Sequence, residues 1–204
     1  MTLPEILGIY PSVDSWLQIS PEGKVNVFTG KVEIGQRITT ALALIVSDQL
    51  QINIDRVTIT SGNTELTPDE GYTAASFSME ASAAALRIVA AEVQNTLLEL
   101  AADKFSCSLK ELTVDNGTVV CGKSQETVTY WELLGGMRFD RTVSGNVTPR
   151  PSAAPRNGLG RTQSIYSRAI VTGELKYIQD IELPGMVHGR VVRPPNYHAK
   201  LTSV

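Results

Sequence analysis

The chain has 204 residues, with 18 Lys and Arg against 21 Asp and Glu for a net charge of −3, 42% apolar residues and two cysteines. This balance excludes the basic footprint that nucleic acid or an anionic membrane requires, and two Cys with two His exclude a disulfide scaffold, a four-Cys zinc site and an iron–sulfur ligand set. No metal site built from side chains is expected, and Cys107 and Cys121 read as structural thiols suited to a reducing cytoplasm. The N-terminal residues lack the pattern of a secretory signal, and no apolar run reaches the roughly 18 residues needed to span a bilayer, so a soluble protein without membrane insertion is expected.

The first elements in chain order read as a hairpin. Two β-prone runs, Trp16–Ile19 and Lys24–Thr29, flank the turn residues Pro21-Glu22-Gly23, and Val25 and Val27 share the face expected to enter the core. Arg37 to Leu50 carries Ile38, Leu42, Ile45 and Gln49 along one stripe, with Ala41, Leu44 and Val46 beside it, which predicts a buried helix. Arg56–Thr60, RVTIT, reads as a strand. The strongest helical pattern is Ser78–Ala102, where Leu86, Val89, Val93, Leu97 and Leu100 recur at spacings of three and four. Ser76 or Ser78 would cap it, and the alanines of its first half allow another element or a ligand close to the backbone.

Ser108–Glu111 reads as a helical turn, and Leu112–Asp115 is expected to pair with Thr118–Cys121 across Asn116-Gly117. A short strand closing at Val128 and a short helix over Tyr130–Leu134 follow. Gly135–Gln163, rich in Gly, Pro, Arg and Ser, reads as a surface crossover at a domain boundary. The last forty residues return to β composition, with a strand-like run at Met186–Arg193. Alternating β and α pieces with hairpins predict an α+β fold rather than a doubly wound parallel sheet. The expected organisation is a domain over residues 1–135, a linker over 136–163 and a second unit that begins at 164.

Two segments point to chemistry. Gly30-Lys31-Val32-Glu33-Ile34-Gly35-Gln36-Arg37 is a glycine-bracketed loop that enters a helix, where unpaired N–H groups and the helix dipole favour an anion; a plain connecting turn is the alternative. Gly71-Tyr72-Thr73-Ala74-Ala75-Ser76-Phe77-Ser78 enters the next helix with small residues and accessible amides, which suits a phosphate or pyrophosphate; a plain N-cap is the alternative. Two such loops in one compact unit could converge on one anionic ligand.

These residues carry a resemblance. VFTGKVEIGQR with TALALIVSDQL, followed by RVTITSGNTELTPDEGYTAASFSMEASAAALR, resembles the molybdenum-cofactor-binding region of the xanthine dehydrogenase and aldehyde oxidase family. Within it, the pattern is most similar to bacterial large subunits of the isoquinoline oxidoreductase and nicotinate dehydrogenase type. VTGELKYIQDIELPGMVHGRVVRPPNYHAKL resembles the opening of that family's a/b hammerhead domain.

The resemblance implies that Ile34, Gly35 and Gln36 contact a molybdenum-molybdopterin cofactor, with Ala75, Ser76, Phe77 and Ser78 in a second loop that holds it. A cytosine dinucleotide form is implied, as are a small [2Fe–2S] partner subunit, the remainder of the large subunit, and an N-heterocycle or aldehyde substrate hydroxylated with water as oxygen donor. The family commonly has Gly where Arg37 stands, so this guanidinium either narrows the pocket or adds a cation near phosphate. The family's base, a Glu in a Gly-Val-Gly-Glu motif, and its glycine-phenylalanine-glycine loop are not in these residues, so no catalytic residue is expected here and the chain is expected to be inactive alone. Glu33, Glu70 and Glu80 read as solvated or capping carboxylates. A stand-alone, non-catalytic interaction domain with the same fold is the competing expectation.

Overall fold

The computed structural model describes residues 3–151 and 164–203, and it divides into two compact units, Met1–Ile165 and Tyr166–Val204. The first unit is a mixture of helices and two three-stranded sheets. A short helix, α1 (Glu5–Ile9), precedes β1 (Leu17–Ile19) and β2 (Val25–Thr29), which pair antiparallel with Leu17 opposite Val27. Helix α2 (Ile38–Leu50) then carries the chain back so that β3 (Val57–Ser61) lies parallel to β2, with Val25 opposite Val57. This β2–α2–β3 unit is a parallel connection that strand patterns alone did not reveal, because parallel pairing is set by where the crossover helix packs.

A π-helical turn at Ser78–Ala83 opens directly into the 22-residue α3 (Ala84–Phe105). Neither Ser76 nor Ser78 acts as the expected side-chain cap: the N-cap position is Phe77, no side chain closes this start, and the Ser76 carbonyl accepts from the amides of Met79 and Glu80. Helices α2 and α3 pack on each other, and Ala83, Ala85 and Ala90, each at most 4% exposed, are the small residues that permit it. Leu42, Val46, Leu86, Val89 and Leu97 are fully buried between the helices and the sheets.

The second sheet is an antiparallel meander of β4 (Leu112–Asp115), β5 (Thr118–Cys121) and β6 (Thr127–Thr129), closed at Asn116-Gly117 and followed by α4 (Tyr130–Leu134). Thr129 and Glu132 form a reciprocal capping box on α4, as Ser108 and Glu111 do on the turn before β4. Cys121 is buried on β5, Cys107 is partly exposed, and both are free thiols.

The stretch after α4 is not a surface crossover throughout. Phe139 and Val143 are each 8% exposed, and Asp14, buried near Trp16, accepts hydrogen bonds from the amides of Phe139 at 3.0 Å and Asp140 at 2.9 Å. Val13 N donates to Arg141 O, Val143 N donates to Pro11 O, and Ser12 bridges Thr142. A Gly- and Arg-rich stretch reads as solvent-facing because it lacks periodicity, yet here backbone pairing and a buried carboxylate hold it in place. The expected linker residues 152–163 lie outside the described residues. On their far side Ile165 N donates to the Thr40 hydroxyl at 3.1 Å, so the chain returns to the start of α2.

In the second unit the expected strand Met186–Arg193 is not formed. Its described residues hold only α5 (Ser167–Thr172) and a 3₁₀ turn at Ile178–Asp180, with Val187, Val191 and Val192 at 83–94% exposure. A β-prone run needs a neighbouring strand to satisfy its backbone, and none lies beside it among the described residues. No helix among the described residues is long and apolar enough to cross a membrane.

Candidate functional site

The first loop begins where β2 ends. Glu33 folds back over the start of α2, and one carboxylate oxygen accepts from the amides of Gly35 and Arg37, both at 2.9 Å. The other accepts from the Thr39 hydroxyl at 2.8 Å and the Thr39 amide at 3.3 Å. Three of the N–H groups expected to attract a ligand here, those of Gly35, Arg37 and Thr39, are therefore occupied by the protein's own anion. Burial alone would raise the Glu33 carboxyl, but the Thr39 hydroxyl and the amides of Arg37, Gly35 and Thr39 outweigh it and hold it below its usual range.

Because that carboxyl is lowered in the folded state, its stabilisation is present above the ordinary carboxylate range and is lost as pH falls through the folded value. Glu33→Gln should cost about 1 kcal/mol at neutral pH, and its difference from wild type should shrink toward zero on acidification. Thermal midpoints of both proteins across acidic and neutral pH check this, and parallel curves would remove Glu33 as the cap.

Gln36 is also committed within the loop. Its side-chain oxygen accepts from Ile34 N at 2.7 Å and its amide nitrogen donates to Val32 O at 2.9 Å. Arg37 sits at φ 64°, in the left-handed region that glycine adopts freely, and it does not line the groove described below. The backbone conformation is the physical reason a glycine suits this position.

The second loop is built around Lys31, which is only 1% exposed and whose Nζ donates to the carbonyls of Glu70 at 2.5 Å and Tyr72 at 2.8 Å. Glu70 in turn ties back to the end of β2: its Oε2 accepts from the Thr29 hydroxyl at 2.5 Å and from Gly30 N at 2.7 Å. Val32 N donates to the Thr73 hydroxyl at 3.0 Å, which joins the two loops directly. Ala75 and Ser76 both have positive φ, 48° and 61°, and the exposed amides of Ala74, Ala75 and Ser76 donate to no group among the described residues.

Between the loops lies an open groove of about 470 Å³, lined by Ile34, Gln36, Ala75, Ser76 and Ser78 of the expected residues, together with Ile38, Ala41, Thr73, Ala74 and Met79. Gly35 and Phe77 belong to the loops but do not line it, and Phe77 is 54% exposed. Sequence reasoning missed Lys31 and Thr73, while Glu33 takes the capping role that was one of its two expected readings. A Glu shortly ahead of a helix is a readable capping signal, whereas a lone Lys at a strand end reads as a surface charge. Among the described residues no group of three or more His, Cys, Asp or Glu is placed to hold a metal ion.

The groove lies between two helix-entry loops and has no acidic side chain on its lining. Residues 6–173 match the family described as molybdopterin cofactor-binding domain, and the chain belongs to that family. It is 34% identical over 200 residues to a nicotinate dehydrogenase component of Pseudomonas putida, covering 94% of this chain and 16% of that protein. It is 25% identical over 231 residues to the beta component of isoquinoline 1-oxidoreductase from Brevundimonas diminuta, covering 94% of this chain and 29% of that one. The structure is similar to reconstituted CO dehydrogenase from Oligotropha carboxidovorans, with a TM-score of 0.50 at 26% identity over 57% of this chain and 15% of that chain. The chain thus spans less than a third of these relatives.

Proposed function

We propose that this chain forms one wall of the molybdenum-cofactor cradle in the large subunit of a molybdenum hydroxylase. The observation that carries the reading is the groove in which Ile34 and Gln36 of one loop meet Ala75, Ser76 and Ser78 of the other. The donor set fits such a group: no Asp or Glu lines the groove, its small residues leave the main chain approachable, and three consecutive amides are free to bind phosphate oxygens. When bound, the cofactor supplies the oxidation of an electron-poor carbon in an N-heterocycle or aldehyde, with water as oxygen source.

The chain's own residues bind and orient. The amides of Ala74, Ala75 and Ser76 donate to the ligand, and Gln36 fixes the backbone of Val32 and Ile34 so that the Ile34 side chain forms the opposite wall. The same proposal includes the cytosine dinucleotide form, the cytoplasmic setting, the remainder of the large subunit and a small [2Fe–2S] subunit; the family supports a molybdopterin cofactor, and the relatives' names, as subunits, support an assembly of several chains. It also includes a hammerhead domain that opens in the second unit, where the exposed valines call for further chain to cover them.

The test is cofactor occupancy in the intact assembly, made in a host that synthesises the cofactor. Proline has no amide N–H and holds φ near −65°, so Ser76→Pro should lower molybdenum and pterin per assembly at least about tenfold, while Ser76→Ala, which keeps the amide, should change it little. Full occupancy in Ser76→Pro would overturn the site assignment.

A further inference from the structure

Lys31 is a buried cation without a carboxylate partner: among the described residues it forms no ion pair, and its Nζ is met only by the carbonyls of Glu70, Tyr72 and, at 3.4 Å, Gly71. Buried lysines are ordinarily paired with an acid, because carbonyl dipoles compensate the charge only in part. The acidic side chain of the same cluster, Glu70, is turned instead toward β2, and its Oε1 is buried without a partner among the described residues.

Drawing three successive carbonyls onto one ammonium requires a turned backbone, which Gly71 supplies at φ 66°. With those carbonyls facing the lysine, the chain emerges into the segment whose amides at Ala74, Ala75 and Ser76 are left free.

We infer that Lys31 is a positioning residue for the second loop and that its buried charge, set beneath that loop, favours an anionic diphosphate at the free amides. The inference rests on the reading of the groove as an anion-binding cleft. It assigns Lys31 two effects, one on the conformation of the loop and one on the potential in the groove, and a structural strut would have only the first.

The experiment titrates the full 204-residue chain with inorganic pyrophosphate and follows the amide resonances of Ala74, Ala75 and Ser76. In wild type these amides should shift and saturate. Lys31→Met, checked as folded by its thermal transition, should bind pyrophosphate about tenfold more weakly. Glu70→Gln, which keeps an acceptor for Thr29 and Gly30 while removing a nearby negative charge, should bind it several-fold more tightly, and this variant decides the matter if Lys31→Met fails to fold. Equal pyrophosphate affinity in wild type and Glu70→Gln, or in wild type and folded Lys31→Met, would overturn the role of the charge while leaving the groove as the binding site. Wild-type amides that do not respond to pyrophosphate would overturn the anion-binding reading itself.

Discussion

Gly30→Ala should destabilise the first unit by at least about 3 kcal/mol, measured as the loss of unfolding free energy in urea at unchanged slope. The reason is space rather than backbone conformation. A methyl group at Gly30 would stand 2.2 Å from the Pro68 carbonyl oxygen and 3.1 Å from the Glu70 amide nitrogen, and both are main-chain atoms that no rotamer change can move. The backbone is pinned on either side: Gly62 N donates to Thr29 O at 2.9 Å, and the Ser61 hydroxyl donates to Lys31 O at 2.6 Å.

Relief therefore requires the Pro68–Glu70 segment to move away from β2, which breaks the Glu70 contacts to Thr29 and Gly30 and carries the second loop with it. Gly35→Ala is the contrasting case, since nothing stands within 4 Å of a methyl there and the cost comes only from φ 100°, about 1 kcal/mol. If Gly30→Ala were no worse than Gly35→Ala, the close approach of the two segments would be refuted.

The second large effect is expected at Asp14. Asp14→Ala leaves the buried Phe139 amide and the partly buried Asp140 amide without an acceptor, for a loss of about 3 kcal/mol. The pair Arg141–Glu99, at 3.3 Å with its side chains 56% and 44% exposed, lies in the same region and is worth under about 1 kcal/mol by comparison. Desolvated amides, not surface charge, hold this stretch to the domain. Asp14→Ala should accordingly make the peptide bonds around 136–147 more sensitive to protease than the rest of the unit, and Asp14→Asn, which keeps one oxygen, should fall between. A protease pattern unchanged from wild type would show that the bridge of Ser12 to Thr142 suffices alone.

The difference between what was legible and what was not follows the range of the interactions. Asn116-Gly117 sets its own turn, so the Leu112–Asp115 to Thr118–Cys121 pairing was readable, and the observed register has Asp115 opposite Thr118. The stripe Leu86, Val89, Val93, Leu97 announces its own helix, and the helix is there. Both candidate loops were legible as helix entries rich in small residues, and five of the seven expected residues line one groove. In the first loop the amides of Gly35, Arg37 and Thr39 answer to Glu33 rather than standing unpaired, while the accessible amides expected of the second loop are found at Ala74, Ala75 and Ser76, just ahead of the π-turn that opens α3.

Local elements, turns and buried faces depend on residues a few positions apart, so the sequence alone determined them. It also carried the family pattern, since the two loop motifs are contiguous. Only the tertiary structure decided the parallel β2–β3 pairing, the burial of Lys31 under three carbonyls, and the capture of the Phe139 and Asp140 amides by Asp14. The last two join groups about 40 and 125 positions apart, whose meeting depends on the tertiary fold rather than on any neighbour in the chain. The same holds for the run Met186–Arg193, whose composition favours a strand but which has no strand beside it among the described residues to complete a sheet.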